Sequence, residues 1–234
     1  MKRTIIFFLI AFCAFPLPAQ KRKVQNNPYA DIIKPYHLGF HVGLHAQDLL
    51  LTNNGIATPN GEIWFAEVPE YSPGFSVGVI GDLFLNPYMN LRAIPTIHFG
   101  EKTVHFREYF TKEDKRISLR TNYLDIPIDL KISSMRLNNC RPYILGGVYG
   151  SMEIGSKLGL PLLMQNFDYG FEVGLGCTFY FPLFRLAPEL KFKFGIPDIL
   201  QKTRDDLTNE NDKIYTNALS KVTSRMIVFT FNFE

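Results

Sequence analysis

Three groups of residues in this chain have the types and spacing that chemistry uses. The first is the run Gly74, Phe75, Ser76, Val77, Gly78, which matches the G-x-S-x-G pattern of a serine nucleophile. That pattern works only where a strand, a sharp turn and a helix follow in order. Here the next residues, from Val79 to Leu85, read as more strand, so Ser76 is expected as a hydroxyl facing an interior. The second group is His37, His41 and His45. On a helix they would share one face and could hold a metal. On a strand, four residues cover about 13 Å at 3.3 Å each, whereas the ligands of one ion sit about 2.1 Å from it. Gly39 and Gly43 argue against the helix. The expectation is polar residues lining an interior, with a pH-sensitive interior as the sharper alternative.

The third group is Arg92, Asp125, Asp129, Lys131, Glu172, Glu189, Lys191 and Lys193. Paired carboxylates could serve a hydrolase. A charge-neutral salt-bridge network filling a narrow barrel fits better, because buried charges must be paired or hydrogen-bonded. No CxxC, phosphate loop or G-x-G-x-x-G in a strand-helix context is present. The reading is therefore of no enzyme and no cofactor, with no catalytic, cofactor-binding or metal residue. A hydrolase would lose function in Ser76→Ala or Glu172→Gln with the fold intact, and neither loss is expected.

These side chains are carried by segments that alternate with a period of two. In 225–234, Ile227, Phe229, Phe231 and Phe233 share one parity, against Met226, Val228, Thr230, Asn232 and Glu234. In 122–132, Leu124, Ile126, Ile128, Leu130 and Ile132 oppose Tyr123, Asp125, Asp129 and Lys131. Segments 37–47, 73–85, 90–100, 141–151, 168–181 and 185–196 repeat the pattern, 141–151 more weakly. Such alternation means strands with two unlike faces. Short connections at 86–90, 134–139 and 182–184 alternate with long ones at 47–72, 101–116, 152–167 and 197–219. An up-and-down sheet puts all the long loops at one end, as outer-membrane barrels do.

The expected fold is all-β, an eight-stranded antiparallel up-and-down transmembrane barrel. A soluble lipocalin or sandwich would be apolar inside. Here the bulky aromatics, from 21 Phe and 11 Tyr, take one parity while glycines and compensating charges take the other. Lipid is the cover that suits the aromatic face. A sheet in lipid must also close, so the last strand is expected to pair with the first. Glu234 departs from the terminal aromatic residue usual in such barrels.

The start of the chain has Lys2 and Arg3, an apolar run from Thr4 to Phe15, and then Pro-Leu-Pro-Ala-Gln. This describes a secretory signal peptide. The expected domains are a signal peptide at 1–19, a periplasmic segment at 20–36 and a barrel at 37–234. Phe12 before Cys13 does not suit a lipid-attachment site. Cys140 and Cys177 are far apart and show no metal-ligand spacing, and two cysteines make no disulfide framework. Losing Lys2 and Arg3 takes Lys+Arg from 25 to 23 against 22 Asp+Glu, which leaves nothing that suggests nucleic acid. No small-molecule substrate is implied either. The acidic and amide-rich stretch 202–213 reads as a solvated outer loop that could bind a partner.

Whole phrases resemble one family. HLGFHVGLHAQDL, SPGFSVGVIGDLFLNPYMNLRAIPTIHFGEK, NYLDIPIDLKISSMRLNNCRPYILGGV, DYGFEVGLGCTFYFPLFRLAPELKFKFGI and VTSRMIVFTFNFE resemble the PorT family in wording and in order, from about residue 37 onward. That family consists of outer-membrane barrels associated with the type IX secretion system, which exports proteases, adhesins and gliding-motility proteins in Bacteroidota. The resemblance implies outer-membrane lipid and other type IX secretion components as partners, and it assigns no enzymatic residue. Eight strands enclose too little space for a polypeptide channel. The expected role is therefore accessory or assembly, with a free-standing structural or adhesion barrel as the alternative.

Overall fold

The computed structural model describes residues 35–55, 64–67, 72–109, 114–154, 164–201 and 219–234. The expected signal peptide, nearly all of the expected periplasmic segment and the 202–213 loop lie outside the described residues. The strands are β1 (Tyr36–Asn53), β2 (Trp64–Glu67), β3 (Ser72–Asn86), β4 (Met89–Ala93), β5 (Thr96–Glu108), β6 (Asp114–Ser133), β7 (Cys140–Glu153), β8 (Phe167–Tyr180), β9 (Arg185–Gly195) and β10 (Leu219–Phe233).

Eight staves close into a ring, and all neighbours are antiparallel. β4 and β5 form one stave, because both lie between β3 and β6. Pro95, which cannot donate to a ladder, divides them. Bonds from Val79 N to Pro95 O (3.0 Å) and from Ile94 N to Pro127 O (3.2 Å) carry the ladder past the break. β2 stands outside the ring, paired with the top of β5. β1 pairs with both β3 and β10, which closes the sheet and leaves no open edge in the wall.

One circuit shows the tilt. Leu38 faces Gly81, then Ala93, Ile128, Val148, Phe171, Phe194, Arg225 and finally Asp48, ten residues up the starting strand. That stagger over eight strands about 4.8 Å apart tilts them about 41° from the axis. Ten residues at this tilt climb about 25 Å, the height of an outer-membrane apolar band. Outward side chains between the two ends of this climb are apolar, including Phe40, Val42, Leu44, Val148, Phe171 and Phe229. Asp48 and Arg225, which face each other in register, mark its upper limit. Ring pairs Phe40–Phe233, Phe75–Phe99 and Phe171–Phe194 stack across strands at 4.9 to 5.2 Å.

Two expectations about lengths are corrected. The connection expected over 101–116 is instead mostly strand, because β5 continues to Glu108 and β6 restarts at Asp114. β1 likewise runs to Asn53, past the expected end at 47. Above the band, Leu49, Ala66, Phe106, Met164, Ile199, Leu200, Leu219 and Val222 are buried. The extended ends therefore carry apolar burial of their own, so strand pairing does not need lipid there.

Inward glycines make room for large neighbours. A Cβ on Gly147 would collide with the carbonyl oxygen of Ile128 and the carboxylate of Asp129. Gly147→Val is expected to cost about 3 kcal/mol, the upper end for overpacking, measured by urea unfolding of the barrel in lipid. Gly146→Val is the control, since its nearest contact would be an ordinary 3.8 Å to Glu172 O.

Cys140 and Cys177, which carry no disulfide signal in the sequence, form a disulfide. Pro142 faces Cys177 and Cys140 faces Phe179, so the bond runs diagonally between β7 and β8. It lies beside the short turns, the end that outer-membrane barrels turn to the periplasm, where oxidising conditions sustain such bonds. Closing a loop with a sequence separation of 37 is expected to contribute about 2–4 kcal/mol. Cys140→Ser or Cys177→Ser should lower the urea midpoint accordingly, and a reductant should do the same to the unmodified protein.

Candidate functional site: a charged barrel interior

The polar parity of every stave points into the barrel, and its charged groups meet at successive heights. Arg92 is fully buried and reaches three carboxylates. Its Nη1 donates to Glu189 Oε2 at 2.9 Å, its Nη2 to Glu234 Oε1 at 3.2 Å, and its Nε lies 3.5 Å from Asp82 Oδ2. Tyr143 Oη donates to the same Glu189 oxygen at 2.7 Å and Asn232 Nδ2 at 3.2 Å. Lys131 Nζ is 4.0 Å from Glu234 Oε1 and 4.4 Å from the centre of the Tyr143 ring.

Higher up, Lys191 Nζ donates to Asp129 Oδ2 and Glu172 Oε1, each at 2.8 Å, and lies 3.4 Å from Glu189 Oε1. Lys193 Nζ donates to Asp125 and reaches Glu172 Oε2 at 3.0 Å. His98 Nε2 is 3.4 Å from Asp125 Oδ2. Higher again, Ser224 Oγ donates to Asp168. Lys191 and Lys193 thus each lie between carboxylates contributed by different staves.

All eight predicted residues stand in this one connected set, joined through Glu172, Glu189 and Glu234. Asp82, Glu234, Tyr143, Asn232 and His98 join the set beyond the eight expected from sequence. Arg185 lines a cavity beside Glu234. Asp82 had a legible signal, since it lies across a short hairpin from Arg92. Glu234 faces inward while Phe233 faces outward and stacks on Phe40. The residue in the usual aromatic place is therefore a ligand of Arg92 and Lys131.

The other two motifs resolve along the same wall. Ser76 is buried on the inward face of β3, and the strand runs straight through it, with no turn into a helix. His41 and His45 also face inward. His41 Nε2 is 2.9 Å from Thr96 Oγ1, and the His45 ring stands edge-on to His98 with centres 4.9 Å apart. Among the described residues, no group of three or more His, Cys, Asp or Glu side chains is placed to hold a metal ion. No helix among them is long and apolar enough to cross a membrane; the strands do the crossing.

An apolar band outside and a salt-bridged polar interior inside a closed eight-stave ring define a small outer-membrane barrel. The chain belongs to the outer membrane protein beta-barrel domain family, whose model matches residues 19–201. It therefore resides in the outer membrane, embedded in its lipid. Solved structures with a similar trace include OprG from Pseudomonas aeruginosa, at TM-score 0.49 and 11% identity over 84% of this chain and 93% of that one. Neisserial surface protein A matches at TM-score 0.44 and 11% identity, over 84% and 97%. AlkL, solved in lipid bilayers, matches at TM-score 0.40 and 7% identity, over 94% and 93%. No curated protein matches the chain.

Proposed function

We propose that this barrel is an accessory or assembly component of the type IX secretion system and not its polypeptide conduit. The observation that carries the second half is the filled interior: Arg92, Tyr143, Glu189 and Glu234 bridge the lumen, with side chains 0–4% exposed. An unfolded polypeptide cannot pass without breaking that layer. The PorT resemblance supports the first half. So does the periplasmic rim, where turn residues Met135 (68% exposed), Leu137 (64%) and Leu183 (95%) project past the apolar band toward a prospective partner. In this reading residues 1–19 direct export, residues 20–36 lie in the periplasm, and the interior charges hold the barrel together without catalysis.

The test has three readouts. Deleting the gene should abolish export of the system's proteases and adhesins. Photo-crosslinkers at Leu183, at Met135 and within 202–218 should capture translocon components. The purified barrel should form no large stable pore in planar bilayers. Normal export with no co-purifying partner would instead establish the free-standing structural or adhesion barrel. A large stable pore would refute the accessory role.

A further inference from the structure

The end of the barrel that carries the short turns is basic on its inner side. The turns 86–90, 134–139 and 181–184 contain no Asp or Glu. Three arginines, Arg136, Arg141 and Arg185, stand in or beside them. Arg141 and Arg185 share the inward parity of Tyr143 and Ala187, which are buried. Both line one cavity with Lys131 and the buried ring of Tyr180. The Arg136 guanidinium reaches the same ring, its Cζ 3.8 Å from the ring centre, and the Arg185 Cζ lies 5.5 Å from that centre. Tyr180 is thus a platform that gathers two of the three guanidinium groups.

Backbone bonds hold these side chains in place. Arg136 Nε donates to Asn138 O at 2.8 Å, where Asn138 takes a positive φ of 54°. Arg141 Nε donates to Ser134 O at 2.9 Å and its Nη2 to Pro87 O, which ties two turns together. Those acceptors are neutral, so the bonds fix the guanidinium groups without cancelling their charge. A guanidinium has further N–H donors for a ligand. The carboxylates in the same cavity, Asp82 and Glu234, both turn to Arg92, at 3.5 and 3.2 Å. Guanidinium groups fixed in this way suit an incoming carboxylate, which they can hold through paired, charge-assisted bonds.

We propose that this mouth docks an acidic, partly apolar segment of a periplasmic protein, its carboxylates on Arg136, Arg141 and Arg185 and its apolar side chains on Met135, Leu137 and Leu183. Those last three are exposed on the same turns. Arginine clusters are a recurring means of holding acidic motifs. Phospholipid headgroups are the other source of anions at this height. They surround the barrel, however, whereas Arg141 and Arg185 point toward its axis. The cavity behind the arginines holds only about 20 Å³, room for about one water. The segment therefore lies across the mouth and does not thread the ring. This docking rests on the accessory reading, which puts a partner at this end, and adds what that partner must present.

The test uses the full chain in nanodiscs of neutral phosphatidylcholine and a fluorescent peptide of alternating glutamate and leucine, followed by anisotropy. The peptide should bind, and more weakly as salt rises. Arg136→Gln, Arg141→Gln and Arg185→Gln should each weaken binding about tenfold, the loss expected for one charged hydrogen-bonding partner. Should Arg141→Gln or Arg185→Gln fail to fold, Arg136→Gln still reads the effect, because Arg136 lies between β6 and β7, outside both strands. Folded variants that bind like the unmodified protein would overturn the proposal. So would equal binding of a peptide with glutamine in place of glutamate, or equal weakening by Lys221→Gln, which stands near the loop end of β10. Phosphatidylglycerol retained by the unmodified barrel but not by the arginine variants in native mass spectrometry, with no peptide bound, would assign the arginines to lipid headgroups and overturn it as well. Crosslinks from Leu183 to translocon components would in each of these cases leave the accessory role standing.

Discussion

Replacing Lys191 by Met is expected to remove about 3–5 kcal/mol from the stability of the folded barrel, the range for deleting one partner of a buried ion set. Lys191 is the counter-ion of Asp129 and Glu172 at 2.8 Å, and of Glu189 at 3.4 Å, with its side chain 8% exposed. Methionine fills much the same volume, so the loss is of charge. Three carboxylates from β6, β8 and β9 would then face one another with no cation at their centre. Adding Glu172→Gln should restore part of the loss, because it removes one of the three negative charges. Urea unfolding in lipid vesicles, followed by gel mobility, gives the midpoints. If Lys191→Met unfolds with the unmodified protein, the interior bonds do not hold the staves together.

The other large effect lies on the opposite face. Val148 points outward on β7 and is 60% exposed, near the middle of the band, between Ile128 and Phe171 in register. Val148→Arg should cost about 2–4 kcal/mol, the penalty for arginine at the midplane of an outer-membrane barrel. Leu183→Arg, in a turn beyond the band, should cost about 0–1 kcal/mol by the same depth dependence. The contrast between two exposed apolar sites is the informative result. Equal costs would mean that hydrocarbon does not cover the outward face.

Much of this arrangement was legible because a strand has only two faces. Leu124, Ile126, Ile128 and Ile132 could go to one face and Asp125, Asp129 and Lys131 to the other, whatever else the chain did. The lengths of the strands were harder to read. Alternation reports the boundary between lipid and lumen, and above the band that boundary ends. Leu49, Leu50 and Leu51 follow one another at that height, with Leu49 buried and Leu50 exposed. No period marks them as strand. Pro95 inside a stave and the short β2 outside the ring are equally matters of pairing, and pairing is not written in the local pattern.

Partners across the interior were the least legible. Lys191 meets Asp129 across 62 positions of sequence and Lys193 meets Asp125 across 68, and neither pairing follows from parity. Both depend on the ten-residue stagger of the closed ring, which brings distant heights of the staves level. The Cys140–Cys177 bond has the same origin, since only the register of β7 on β8 brings two remote thiols together.

What the residues determined by themselves is the sidedness: aromatic and aliphatic groups to hydrocarbon, charges and glycines to the lumen, turns and loops at opposite ends. The period of the backbone imposes that before any long-range contact forms. Closure decided the rest. The stagger chose which carboxylate each cation meets, drew Asp82 and Glu234 into the set, and placed Arg92 among carboxylates from separate staves, because a ring of tilted strands aligns residues by height and not by sequence.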